Sequence, residues 1–178
     1  IIPAFQRLGA DKAVWRYDPV FINERYTVDY HIRAFTKLCE ELEGCTHKAV
    51  ISFVDSYRGV DLSPLHIRPL TPEQQREFAQ QLAGIAASHG IELSACAEDL
   101  GIARSCCVDG RMFGVTRPKD RNQRGLCGCM ESVDIGAYST CTNGCVYCYA
   151  NQYGRPQVPV PPDSDLLGPP LTGRETVK

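Results

Sequence analysis

Three short runs rich in β-branched and aromatic residues stand out in the first part of the chain: AVWRYDPV at 13–20, AVISFVD at 49–55 and IELSACAE at 91–98. Each predicts a β-strand. Between the first two, Val28, Ile32, Phe35, Leu38 and Leu42 recur at helical spacing, which predicts a helix from about Thr27 to near Gly44. Between the second and third, TPEQ at 71–74 offers Thr71 as a cap, Pro72 for the first turn and Gln74 to close a capping box. Phe78, Leu82 and Ile85 then carry an apolar face toward Gly90. Strand and helix alternating at roughly 40-residue intervals is the pattern of parallel βα units. Three such strands do not close a barrel. The expected fold is therefore α/β, a partial (β/α) barrel of parallel strands over 1–109, with the missing strands upstream of Ile1 or with the sheet left open. A Cys-rich segment at 110–151 and a Pro-rich tail at 152–178 follow. The first residue is Ile1 rather than Met, so the chain reads as a piece of a longer one.

Each predicted strand ends in an acid: Asp18, Asp55 and Glu98. Alternation puts Arg16 with Asp18 on one face, Ile51 with Phe53 and Asp55 on another, and Ser94 with Cys96 and Glu98 on a third. Ligands of parallel α/β folds bind at the carboxyl ends of strands. Arg16, Asp18, Asp55 and Glu98 are thus candidate contacts to a cofactor or substrate, the plain alternative being that the acids cap loops and helix starts.

The composition, 43% hydrophobic and 22% charged over 178 residues, is that of an ordinary globular domain that needs no disulfides for stability. No apolar run reaches the ~18 residues of a membrane span, and no secretory signal opens the chain, so a cytoplasmic location is expected and no membrane partner. In a reducing compartment, clustered cysteines read as ligands or catalytic thiols. A net charge of −2 gives no global reason for nucleic-acid binding. The locally basic stretch with Arg111, Arg117, Lys119, Arg121 and Arg124 reads as a solvated loop or as an anion contact. The tail PQVPVPPDSDLLGPPLTG is expected to be extended on the surface or disordered.

Ten cysteines concentrate the chemistry, and YSTCTNGCVYCYA at 138–150 holds three of them, Cys141, Cys145 and Cys148. The preceding SVDIGAY at 132–138 alternates Val133, Ile135 and Ala137 like a short strand, and Gly144 permits a sharp loop behind it. Structural zinc sites usually close four ligands. A cubane held by three cysteines instead leaves one iron open to a substrate or cofactor.

CxxxCxxC with an aromatic before the last cysteine, here Tyr147, resembles the cluster loop of the radical S-adenosylmethionine enzymes, which are built on partial or complete βα barrels. The resemblance implies that Cys141, Cys145 and Cys148 bind a [4Fe-4S] cluster, that Tyr147 lies near the adenine of S-adenosylmethionine, and that one electron from the cluster cleaves this cofactor to start radical chemistry on an unknown substrate. It also implies a reductant such as flavodoxin or ferredoxin. WRYDP, ISFVD, CAE, NQRGLCGCMESVDIGAYSTCTNGCVYCYAN and DSDLL together resemble the carboxyl-terminal part of the family named domain of unknown function 1848. That family is noted for a terminal cysteine cluster like the radical loop, and its members carry a further amino-terminal segment. Radical S-adenosylmethionine domains place the loop after the first strand, whereas only 30 residues follow Cys148 here. A permuted barrel, with SVDIGAY in the place of the first strand, reconciles the two.

Cys96, Cys107, Cys127 and Cys129 make a complete four-thiolate set for a second cluster or a zinc, with Cys107 preferred over Cys106 from the family pattern. The alternative is a buried Cys96 and a CGC that decorates a loop. Cys39 and Cys45 read as core or incidental, and His31, His47, His66 and His89 as loop or helix-surface residues. Against the radical enzyme stand a zinc-stabilised module binding nucleic acid or protein, and a simple electron-transfer cluster.

Overall fold

The structure is a computed structural model that describes residues 2–57, 59–133 and 137–150, together with Val160 and Asp163. By internal contacts the chain divides into two compact units, one of residues 1–54 and 66–132, the other of residues 55–65 and 133–178.

The first unit opens with a short helix α1 (Ile2–Leu8) and then alternates β1 (Val14–Val20), α2 (Val28–Leu42), β2 (Lys48–Phe53), α3 (Pro72–Ser88), β3 (Glu92–Ala95) and β4 (Ala103–Arg104). The four strands form one all-parallel sheet in the order β1-β2-β3-β4. Sequential order means that every crossover advances in the same direction, which suits right-handed βα units laid side by side as in a barrel wall. The sheet is open, not closed. The expected partial barrel is therefore a four-stranded one, with β4 and α1 added to the elements read from the sequence.

Local chemistry sets the helix boundaries. Thr27 caps α2 by accepting from Tyr30 N at 3.1 Å. Thr71 and Gln74 form the reciprocal capping box of α3, with Pro72 in its first turn; such a cap contributes ~1 kcal/mol. Phe35, Cys39 and Leu42 of α2 and Phe78, Ala79, Leu82 and Ala86 of α3 bury their stripes against Trp15, Ala49, Ile51, Phe53, Leu93 and Ala95 of the sheet. Trp15 stacks on Phe35 with ring centres 4.8 Å apart. Cys39 and Cys45 are core residues, as their setting in the sequence suggests.

His31 departs from its expected surface position. It is 7% exposed on the buried stripe of α2, four residues before Phe35. Its Nε2 lies 3.0 Å from Phe21 O and its Nδ1 2.7 Å from the Tyr17 hydroxyl. A carbonyl only accepts, so Nε2 carries the hydrogen and Nδ1 accepts from Tyr17, which satisfies a neutral ring. Burial accordingly lowers the pKa of His31, against the opposing bond to Phe21.

The strand expected over 132–138 falls in part on residues 134–136, outside the described residues. Ser132, Val133, Ala137 and Tyr138 lie in no strand, and Val133 is 87% exposed rather than turned into a core. The proline-rich tail lies outside the described residues apart from Val160 and Asp163. Among the described residues, no helix is long and apolar enough to cross a membrane.

Candidate functional site, a thiol cluster at the strand ends

Register decides which side chains meet. Trp15 pairs with Ala49 and Tyr17 with Ile51 on the helix-covered face, while Arg16 pairs with Val50, and Val50 with Ser94, on the other. Arg16 and Asp18 thus share a face with Ser94 and the thiol that follows it, as alternation predicts. Ile51 and Phe53 do not: they belong to the helix side, and the residues that β2 lends to this face are Val50 and Ser52. Single-strand alternation gives the two sets of a strand but not which of them meets its neighbour's polar set.

Arg16 Nη2 is ion-paired with Asp18, and Ser52 Oγ donates to Asp18 Oδ2 at 3.4 Å. β3 stops at Ala95, and Ala97, with φ of 59°, turns the chain out of extended alternation. Glu98 is thereby swung to the end of β2, where both carboxylate oxygens accept from Phe53 N at 3.0 and 3.1 Å. It caps the strand with a charged acceptor, a stronger bond than a neutral one. Asp55 lies beyond the end of β2 and belongs to the second unit.

Covering Val50 is a layer built almost wholly from sulfur. Cys96, Ala97, Cys127 and Cys129 bury against it, with Cys106 and Val108 packed alongside. The segment bringing them together leaves β3 through Ser105 N to Ala95 O at 2.8 Å. It then doubles back, with Met130 N donating to Val108 O at 3.1 Å and Asp120 N to Cys129 O at 3.0 Å. Gly110 is required at the fold-back, since a Cβ there would stand 2.1 Å from Val115 O and 2.5 Å from Met130 Sδ. Buried Asp120 holds the return turn by accepting from Asn122 N at 2.8 Å.

Within this layer Cys96 Sγ and Cys107 Sγ are 3.9 Å apart. Arg16 Nη1 donates to Cys107 Sγ at 2.9 Å, and Arg124 Nη2 reaches Cys96 O at 3.3 Å and Cys96 Sγ at 3.7 Å. Cys129 Sγ accepts from the backbone N–H of Cys107 at 3.2 Å and of Val108 at 3.4 Å, and its side chain also meets that of Cys127. Cys106 faces Val108 O and Gly128 O, each at 3.1 Å. The bond from Cys107 pushes the Cys96 thiol down, assisted by Arg16 and Arg124 and opposed by burial, while the same bond pushes Cys107 up. Burial works against the Arg16 charge, but its contacts with Cys96, Asp18 and Cys107 outweigh it and raise its pKa.

The second unit holds the other three thiols. Ser139 N donates to Ala150 O at 2.9 Å and closes the base of their loop. Gly144 adopts φ of 67°, the left-handed conformation that glycine tolerates best, and Cys148 N donates to Cys145 O at 3.1 Å. Cys141 and Cys145 are exposed and Cys148 is half-buried, as is Tyr147. Tyr149 packs on Tyr57 with ring centres 5.1 Å apart.

The family described as domain of unknown function (DUF1848) matches residues 4–150, most of the chain. The chain belongs to the DUF1848 family. A search of curated proteins and a search of solved structures each found no match. In this DUF1848 chain the structure brings Arg16, Asp18, Glu98, Cys96, Cys107, Cys127 and Cys129 into one unit and places Asp55, Cys141, Cys145, Cys148 and Tyr147 in the other. Among the described residues, no group of three or more His, Cys, Asp or Glu side chains stands arranged to hold a metal ion. The thiols of the buried layer contact one another, backbone groups and arginines. Ser52 and Arg124 are residues of the site that the sequence reading missed. Arg124 was grouped with a solvated stretch, and nothing in its immediate neighbours marks it as the one turned inward.

Proposed function

We propose that this DUF1848 protein is an iron–sulfur protein of the radical S-adenosylmethionine type, with Cys141, Cys145 and Cys148 as the cluster ligands. The observation that carries this reading is the loop closed by Ser139 and Ala150, which presents three thiols with Cys141 and Cys145 open to solvent. The donor set fits the group: three thiolates from one short loop satisfy three irons of a [4Fe-4S] cluster. Such a cluster, when bound, supplies the electron that cleaves S-adenosylmethionine reductively and so initiates radical chemistry on a substrate. The chain's part is to shape the loop that carries the thiols: Gly144 takes a left-handed turn and Cys148 N donates to Cys145 O. Tyr147 is the candidate contact to the adenine. Arg16, Asp18, Asp55 and Glu98 are the candidate substrate or cofactor contacts, and a flavodoxin or ferredoxin is the candidate donor.

The alternative, a zinc-stabilised module that binds nucleic acid, draws less support. Arg111 is held by Asp109, Lys119 by Gly125 O and Arg124 by Cys96, which leaves the basic stretch short of free cations aligned along one face. The test is anaerobic reconstitution with iron and sulfide, then reduction in the presence of S-adenosylmethionine and assay for 5′-deoxyadenosine. The cluster and the nucleoside are expected with the native loop and lost together in Cys141→Ala/Cys145→Ala/Cys148→Ala. Failure of the native loop to take up iron overturns the reading.

A further inference from the structure

The buried sulfur layer is separate from the loop just discussed, and its geometry has a different character. We propose that Cys96, Cys107, Cys127 and Cys129 form a closed, mononuclear tetrathiolate site for one tetrahedral thiophilic ion, zinc in the first instance, that clasps the end of β3 to the segment doubling back over it.

The sulfur spacing is the first support. A zinc–thiolate bond is about 2.3 Å, so two sulfurs on one tetrahedral ion are about 3.8 Å apart. Cys96 and Cys107 stand at 3.9 Å. A cubane spreads its thiolates over separate irons and holds them farther apart, so this spacing favours a single ion.

Backbone donors are the second. The N–H groups of Cys107 and Val108 both point at Cys129 Sγ. Two amide donors on one sulfur is an arrangement suited to an acceptor carrying negative charge, as a ligating thiolate does. Cys129 follows Cys127 by two residues, with Gly128 between them letting the chain turn closely past Ser105 O. The CGC pair therefore delivers two sulfurs from one tight turn.

Charge is the third. Four thiolates around a divalent ion leave an excess of two negative charges, and two guanidinium groups stand beside them. Arg16 contacts Cys107 while anchored on Asp18, and Arg124 contacts Cys96. Neither arginine needs to move to neutralise the set.

The fifth thiol is set differently, although its side chain also meets that of Cys129. Cys106 Sγ faces two carbonyl oxygens, an environment that accepts from an S–H and repels a thiolate. Cys107 is exposed, which gives the ion a route from solvent that buried Cys96, Cys127 and Cys129 lack. The four side chains do not stand arranged around one point, so closing the site requires them to rotate about their Cα–Cβ bonds.

The deciding experiment uses the full chain with Cys141→Ala/Cys145→Ala/Cys148→Ala, so that the proposed radical loop contributes no metal and its failure or success has no bearing. After anaerobic exposure to zinc and gel filtration, one bound equivalent is expected. Cobalt(II) in place of zinc is expected to give the intense thiolate charge-transfer and red d–d bands of a tetrahedral site, and X-ray absorption to show four sulfur neighbours at about 2.3 Å. Adding Cys107→Ala should abolish the fourth sulfur, whereas adding Cys106→Ala should leave the spectrum unchanged. The X-ray absorption measurement needs no further substitution, so it decides the matter even if a variant fails to fold. One ferrous ion with four sulfurs in place of zinc also supports the site. No bound metal, four irons with sulfide, or a site that needs Cys106 as much as Cys107 overturns it.

Discussion

Two cysteine sets share this chain and differ in almost every physical respect. Cys96, Cys127 and Cys129 are buried against Val50, with backbone N–H groups, neighbouring sulfurs and two arginines around the set. Cys141 and Cys145 are exposed on a loop with a closed base and a turn. A buried polar group left unsatisfied is costly, so the first set is tied to the stability of its unit. An exposed thiol carries no such cost and is available for a ligand. The difference teaches that the first set is tied into the packing of its unit, whereas the second is presented to solvent.

The sharpest way to break this contrast is to remove one sulfur from each. Cys129→Ala deletes the acceptor of two N–H groups in a part-buried position. Urea unfolding under reducing conditions with a chelator present is expected to show a loss of about 2–4 kcal/mol. A smaller effect follows from Glu98→Ala, which strips Phe53 N of its acceptor and should cost about 1–2 kcal/mol. Glu98→Gln keeps a carbonyl oxygen there and should cost less than half as much. Equal losses from both would mean that the charge, not the bond, is what the strand end needs.

How much of this was legible in sequence depends on the range over which each feature is encoded. Helices α2 and α3 were, because Thr27, Thr71, Pro72 and Gln74 act within one turn of the residues they order. The first three strands were, as β-branched runs, whereas the two-residue β4 was not. The meeting of Arg16 with Val50 rather than with Ile51 was not, because register is fixed between chains of atoms and not along one. Nor was the placement of Glu98, which depends on the positive φ of Ala97, a residue whose type gives no warning of it. His31 was legible in principle: it stands at the same helical phase as Phe35, Cys39 and Leu42, a signal outweighed by the usual polarity of histidine.

His31 extends the contrast to pH, since the interior of the first unit tolerates polar groups only in the form their partners fit. Its neutral ring is satisfied by Tyr17 and Phe21, and burial lowers its pKa below the ordinary 6.5. The unfolded chain therefore binds the proton at higher pH than the folded one. Stability should hold above about 6.5 and fall as the pH drops from there toward the folded value, with a slope of up to one proton. Denaturant midpoints between pH 7.5 and 5 measure it, and His31→Gln is expected to remove that part of the slope at the cost of some stability at neutral pH. A slope unchanged in His31→Gln would assign the loss to other groups.

The smallest expected effect tests the contrast from its other side. Cys145→Ala removes an exposed sulfur but leaves the backbone bond from Cys148 N to Cys145 O and the left-handed Gly144 in place. Nothing buried changes partner, so stability should move by no more than about 0.5 kcal/mol. Iron uptake by the loop should nevertheless be lost, because a three-thiolate set has no spare ligand. A loop that is silent in unfolding but decisive in reconstitution is what a reactive site requires. If Cys145→Ala instead destabilises the chain as much as Cys129→Ala, the loop thiols are structural, and the division of labour between the two cysteine sets fails.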